Sequence, residues 1–271
     1  MTAGLRAEVS AAITAMRARP PLVHGATGSV TRSFVADGLL AAGARPMLTE
    51  SVEEAPTLVT VADALLVNLG SLSTDGMAGF VPTARAAGEH DVPWVLDPTA
   101  VGLAPVRTPL AHELLALGPT VVRGNASEVL TLMRDGRGGR GADSTATPDA
   151  AATAARELAS GGRCVVAVSG ARDLITDGSR TVRVTSGSPM LTRVTGAGCL
   201  LGGLTAALVA VASRDGRATP FVGAVAATAL LTVAADRVGS LAPGSFKVAL
   251  IDALDAVSAD EVGREVGLAW E

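Results

Sequence analysis

Arg193-Val194-Thr195-Gly196-Ala197-Gly198-Cys199-Leu200-Leu201-Gly202-Gly203 is the stretch on which the reading of this chain turns. The preceding run, Met190–Val194, reads as a strand leading into it. Gly196 and Gly198 then turn the chain, and a long apolar helix, Cys199–Ser213, begins. Glycines let a ligand approach the backbone, and the first N–H groups of a helix have no internal partner, so such a turn is a ready anion site. The same residues also suit a tight turn that only packs a helix onto a sheet. A dinucleotide-binding loop fits less well. Gly196-x-Gly198-x-x-x-Gly202 is one residue longer than that fingerprint, and Asp215, at the right distance, sits in a turn-like Ser-Arg-Asp-Gly.

Working outward, short apolar runs alternate with amphipathic ones. Strands are predicted at Leu22–His24, Pro46–Thr49, Ala64–Asn68, Trp94–Asp97, Thr120–Arg123 and Cys164–Ser169. Helices are predicted at Val30–Ala42, Val52–Val61, Asp75–His90, Pro109–Leu117, Ser127–Met133 and Pro148–Ala159. This alternation argues for an α/β fold with a mainly parallel sheet and helices on both faces. The near-continuous apolar strands suit burial on both sides. Asp173–Thr176 and Thr181–Val184 flank Asp177-Gly178, a hairpin signal. Helices Pro220–Arg237 and Phe246–Val257 close the chain. No long linker or repeat interrupts it, so residues 1–271 read as one domain. The Gly- and Arg-rich Arg134–Thr147 reads as a mobile loop. In open parallel sheets ligands bind beyond the C-terminal strand ends. Those positions are Gly25–Ser29, Glu50, Gly70–Ser73, Asp97-Pro98, Gly124–Glu128 and Gly170.

Composition excludes several classes. The 271 residues are 48% apolar and 18% charged, with net charge −4 and 2% aromatics. High apolar content with low net charge argues against disorder. No basic face with interleaved aromatics can be assembled, which argues against a nucleic-acid partner. Lys247 is the only lysine and stands in Gly-Ser-Phe-Lys, so a P-loop is excluded. Cys164 and Cys199 make neither a disulfide framework nor a zinc pattern. His24, His90 and His112 lack ligand-like spacing, and no Gly-x-Ser-x-Gly elbow is present. Met1–Glu8 shows no apolar segment with a cleavage site. The apolar stretches Leu200–Ala212 and Phe221–Ala235 fall short of the roughly 20 residues of a membrane span. The expectation is a soluble cytoplasmic protein with no membrane partner.

The glycine turn is similar to the anion-hole loop of ribokinase-like small-molecule kinases, usually Gly-x-Gly-Asp. With Cys in place of the acid, Gly196-Ala197-Gly198-Cys199 resembles the hydroxyethylthiazole kinase family of thiamine salvage. Phe34–Ala41, Ala62–Asn68, Val95–Pro98, Arg123–Glu128, Asp143–Thr145 and Gly244–Phe246 follow in that family's order, and the resemblance covers roughly residues 20–257. It implies ATP-dependent phosphorylation of the hydroxyl of 4-methyl-5-(2-hydroxyethyl)thiazole, with Mg²⁺, in a homotrimer. Gly196, Ala197 and Gly198 would offer backbone N–H groups to the transferring phosphoryl group. Cys199 would act at the acceptor hydroxyl, its thiol pKa lowered by the helix N-terminus and opposed by the phosphate charge. Because the transition state is loose, orienting the alcohol could matter more than removing its proton. Asp97 and Glu128 would hold Mg²⁺ directly or through water. Asn125-x-x-Glu128 resembles the superfamily's metal and phosphate motif. Arg123, Asn125 and Ser169 would contact the nucleotide, Ser169 replacing a usual Thr. Each also has a plainer reading: a turn starter at Asp97-Pro98, a first-turn charge at Glu128, an ion pair at Arg123, a buried thiol at Cys199 or Cys164.

The substrate side departs from the family pattern. Gly28, Val30, Leu48 and Gly196 fall where the family binds its alcohol. Gly28 stands where an Asn is usual and Leu48 where a Met is usual, beside Met47. A pocket roomier at Gly28 is therefore expected. Rival readings are a kinase for another small alcohol such as a hydroxymethylpyrimidine, a nucleotide-dependent dehydratase, and a ligand-binding homologue without catalysis. The dehydratase usually keeps the acid that is Cys199 here.

Overall fold

The computed structural model describes residues 2–133, 146–216 and 218–271. Helix α1 (Thr2–Ala18) leads into strand β1 (Leu22–Ala26), α2 (Arg32–Ala42) and β2 (Arg45–Met47). A short α3 (Ala55–Leu58) continues as a 3-10 turn, Val59–Val61, into β3 (Ala64–Asn68). Then come α4 (Thr74–Glu89), β4 (Trp94–Asp97), α5 (Arg107–Ala116), β5 (Val121–Asn125), α6 (Ala126–Met133), α7 (Pro148–Gly162) and β6 (Val165–Ser169). The hairpin β7 (Asp173–Thr176) and β8 (Thr181–Val184) follows. Helices α8 (Ala197–Asp215), α9 (Pro220–Val238), α10 (Pro243–Ala256) and α11 (Ala259–Glu265) precede a last strand, β9 (Leu268–Trp270).

One nine-stranded sheet runs β2-β1-β3-β4-β5-β6-β7-β8-β9. Pairs from β2 through β6 are parallel, and those from β6 through β9 are antiparallel. Alternate residues of each strand feed opposite faces. Ala64 and Leu66 of β3 join the core packed by α1, α2 and α8–α11, while Leu65 and Val67 join the core packed by α4–α7. From β1 the chain passes outward to β2 and then returns across to β3, so order reverses between β1 and β3. Such a reversal opens a crevice at the strand ends.

Local chemistry explains the boundaries. Ser73 caps α4 by accepting the Gly76 N–H at 2.8 Å, and Gly43 ends α2 at φ 98°. Val52–Val61 is no single helix, because α3 starts only at Ala55, beside Pro56, and tightens at Val59. Met190–Val194 is not a strand either. Ser188 accepts the Met190 N–H, Pro189 sets the first turn, and Pro189–Arg193 is 3-10 helical. Helices α8 and α9 are long and apolar enough to cross a membrane, contrary to the length argument above. Those windows are nevertheless 78% and 83% buried in the fold, which makes them core helices. The Arg134–Thr147 reading, including Asp143–Thr145, lies outside the described residues except for Ala146 and Thr147.

Candidate active site

Side-chain parity gathers the polar residues. Ala64, Leu66 and Asn68 share one face of β3, as do Val95 and Asp97 of β4, Val121 and Arg123 of β5, and Val165, Ala167 and Ser169 of β6. The apolar members all belong to the core under α8. Asn68, Asp97, Arg123 and Ser169 therefore face the helix that the glycine turn opens. Arg123 lies two residues below its strand end and reaches outward. Its Nη1 donates to Asp97 Oδ2 at 3.1 Å and its Nη2 to Ser169 Oγ at 2.8 Å. Its Nε–H is buried without a partner among the described residues.

The turn sits directly over this pair. Gly196 takes φ 95°, a left-handed conformation that favours glycine. A Cβ on Gly196 would meet Thr31 at 3.0 Å and Phe34 at 3.1 Å, and one on Gly198 would lie 2.9 Å from Arg123 Nη1. Helix α8 begins at Ala197, so the N–H groups of Gly198 and Cys199 lie in its first turn, without intrahelical acceptors. The Ala197 N–H makes a long bond back to Val194 O at 3.4 Å.

Glu128 stands in the first turn of α6. Oε1 accepts the Ala100 N–H at 2.9 Å and Oε2 the Asn125 N–H at 2.7 Å, while Asn125 Oδ1 accepts the Glu128 N–H at 3.0 Å. Asn125-x-x-Glu128 is thus a reciprocal helix cap. Burial, and then Asp97, push the Glu128 carboxyl up to about 7, against the pull of its backbone donors and Arg123. Burial works against the Arg123 charge, yet Asp97 and Glu128 outweigh it and raise its pKa. Two buried carboxylates against one guanidinium leave surplus acid, and hard oxygen donors suit Mg²⁺. All four carboxylate oxygens of Asp97 and Glu128 already accept one hydrogen bond, which fits a hydrated ion.

Cys199 is half-buried, with Sγ 3.7 Å from Asn68 Oδ1. Its thiol pKa is raised, by burial first and then by Asp97. This reverses the lowering that a helix N-terminus alone predicts, because desolvation and a nearby carboxylate both disfavour thiolate. Cys164 precedes β6 rather than lying within it, and burial lifts its thiol to about 11.

The substrate-side residues are not all brought together. Leu48 lies just past β2, and a Cβ on Gly25 would meet its Cδ2 at 2.5 Å. Val30 is 66% exposed. Gly28 is buried, and the expected extra room is absent. A Cβ there would overlap Gly70 O and lie 2.6 Å from Ser71 Cβ and 2.7 Å from Ser71 O. The turn after β3, with Ser71 at φ 49°, fills that space.

The model of the hydroxyethylthiazole kinase family matches residues 13–260. The chain belongs to the hydroxyethylthiazole kinase family. It is 49% identical to a hydroxyethylthiazole kinase of Clavibacter sepedonicus over 251 residues, 92% of this chain and 90% of that one. The hydroxyethylthiazole kinase structure from Pyrococcus horikoshii superposes with TM-score 0.87 at 30% identity, covering 97% of this chain and 98% of that one. A ribokinase-like superfamily protein of Enterococcus faecalis shares the fold, with TM-score 0.60 at 14% identity over 90% of this chain and 88% of that one.

Within this family frame, the sequence had given no role to Asn68, Thr99 or Asp173, and to Thr27 only a place past a strand end. Asn68, Thr99 and Thr27 link the thiol, Asp97 and the loop after β1. Asp173 accepts the Gly170 N–H at 2.8 Å just past the end of β6, and burial raises its carboxyl to about 6. Asn68-x-Gly70 at the end of a strand was the available signal for the first group.

Proposed function

We propose that residues 1–271 work as one kinase domain that moves the γ-phosphoryl group of ATP to the hydroxyl of 4-methyl-5-(2-hydroxyethyl)thiazole in thiamine salvage. The observation that carries the mechanism is the approach of Gly198 to Arg123, where a Cβ would lie 2.9 Å from Nη1. It sets a first-turn anion site against a permanent cation. The acceptor oxygen attacks the γ-phosphorus, the bond to the β-phosphate oxygen breaks and ADP leaves, while the hydroxyl proton passes to a phosphate oxygen of the products or to water. In a loose transition state the protein contributes mainly position and charge. The N–H groups of Gly198 and Cys199 face the transferring group, with Ala197 a weaker donor. Arg123 neutralises phosphate charge, and Ser169 and Asn125 border the nucleotide. The Cys199 thiol stays protonated and orients the acceptor hydroxyl.

Asp97 and Glu128 would hold Mg²⁺ through water, and the ion would offset phosphate charge. Gly28, Leu48 and Gly196 would border the thiazole, with Val30 at the mouth. Exposed Val30, Leu40, Val61, Leu103 and Val248 give this chain apolar surface to cover. A homotrimer, which the family resemblance implies, would cover part of it. The buried placement of α8 and α9 supports a soluble enzyme, and membership of a soluble kinase family supports a cytoplasmic one.

The test is ADP release with Mg-ATP and the thiazole, the hydroxymethylpyrimidine or no acceptor, with the product identified by mass. Turnover with the thiazole supports the reading. Turnover with the pyrimidine alone keeps the mechanism and changes the alcohol. ATP binding without turnover favours a binding-only homologue.

A further inference from the structure

Asn68 ends β3 at the crevice between β1 and β3, and it is fully buried. Its amide meets four segments. Oδ1 accepts the Gly70 N–H at 2.9 Å and faces the Thr27 hydroxyl at 3.5 Å and the Cys199 sulfur at 3.7 Å. Nδ2 lies 3.3 Å from Thr99 Oγ1, whose hydroxyl donates to Asp97 Oδ1 at 2.8 Å. These bonds fix the amide's orientation. Thr99 gives its only proton to Asp97, so its oxygen must accept, and only Nδ2 can donate to it. The amide oxygen then turns toward the three donors, the thiol S–H among them. A buried amide so engaged cannot rotate without leaving a polar group unpaired.

We propose that Asn68 is the positioning residue of this site, setting the direction of the Cys199 thiol and tying it to the loops after β1 and β3 and to Asp97. The proposal rests on the reading of Cys199 as the group that orients the acceptor hydroxyl. Asn68 itself touches neither reactant. It holds the thiol from the sheet side, while the Thr31 side chain, the thiol's second hydrogen-bonding partner, and the first turn of α8 flank it. Its loss frees the thiol to turn and leaves Arg123 and Ser169 in place.

Two readouts test this in the full-length protein. In Asn68→Ala, kcat with the thiazole should fall at least tenfold, since misplacing a reacting group by ~1 Å can cost roughly 10²-fold. KM for ATP should stay within about twofold, as uniform nucleotide binding is untouched. Without ATP or acceptor, iodoacetamide should label Cys199 roughly fivefold faster or more, because a thiol left with Thr31 as its one side-chain partner turns more freely and is more accessible. The labelling is resolved by peptide mass mapping. Cys164, buried beside β6, is the internal control for folding. If Asn68→Ala exposes Cys164, Asn68→Ser, which retains an oxygen for the Gly70 N–H, carries the same test. Unchanged labelling of Cys199 overturns the proposal, even if kcat falls, because the effect then bypasses the thiol. Faster labelling of Cys199 in Asn68→Ala, with wild-type kcat in Asn68→Ala and in Cys199→Ala, overturns it through the role given to the thiol. Cys199→Ala measured alone separates that failure from the first.

Discussion

Replacing Gly28 with Asn sets the family pattern against the packing of this chain. The pattern places an Asn there, so the substitution would be expected to restore a substrate contact. The geometry predicts damage. A Cβ at residue 28 would overlap Gly70 O, with Ser71 Cβ at 2.6 Å and Ser71 O at 2.7 Å. Carbon atoms settle about 3.5–4.0 Å apart, so the 70–71 turn must retreat by roughly 1 Å. Both blocking oxygens belong to backbone, and no rotamer change removes them. Overpacking of this kind costs about 1–3 kcal/mol, or roughly 2–5 °C in Tm for a chain of this size. The same retreat pulls on the Gly70 N–H bond to Asn68 Oδ1, and through it on the thiol. A displacement of ~1 Å at a reacting group corresponds to about 10²-fold in kcat. Thermal melting and coupled ADP-release kinetics of Gly28→Asn read both effects. A variant as stable as the parent, with equal or higher kcat/KM for the thiazole, would refute the reasoning. It would mean that the 70–71 turn yields freely and that the site accepts the family's amide.

Arg123→Lys keeps a cation between the acids but cannot hold Asp97 and Ser169 at once; KM for ATP should rise about tenfold, and an unchanged KM would move the nucleotide elsewhere. Cys199→Ala should lower kcat by about 10²-fold with little change in KM for ATP, and wild-type turnover would remove the thiol from the reaction. Asp173→Asn should alter the pH dependence of stability. The folded carboxyl titrates at about 6 against an ordinary 3.8, so its stabilising protonated form is complete below pH 3.8 and lost as pH rises through 6. Removing the charge should therefore stabilise the protein by up to ~3 kcal/mol at pH 8, converging with the parent below about pH 4, as urea melts across that range would show. A constant difference at all pH values would show that the buried charge is not the cause.

Strands β3 and β4 were legible residue by residue, because unbroken apolar runs ending in Asn68 and Asp97 have few other ways to be buried. The hairpin Asp173–Val184 was equally plain from its Asp-Gly turn. Helix α11 and strand β9 were not read. The three residues of β9 pair only through β8, a partner 80-odd positions away. Residues 189–193 misled because an apolar run carries no mark of whether its backbone groups will find a sheet. Here the cap from Ser188 and the ring of Pro189 draw them into a 3-10 turn.

At the site, the residue types were readable and their states were not. Sequence alone determined the kinase family, through the glycine turn ending in Cys199 and the Arg123–Glu128 segment, since local backbone chemistry and side-chain identity are written in order along the chain. Tertiary structure decided three things. It reversed the thiol shift at Cys199, because burial and Asp97 act through space and outweigh the helix end. It gave Asn68 a role, because an uncharged amide acquires one only from the segments that converge on it. It closed the space at Gly28, because the room beside a missing side chain belongs to whichever loop packs there, and here that loop is residues 70–71.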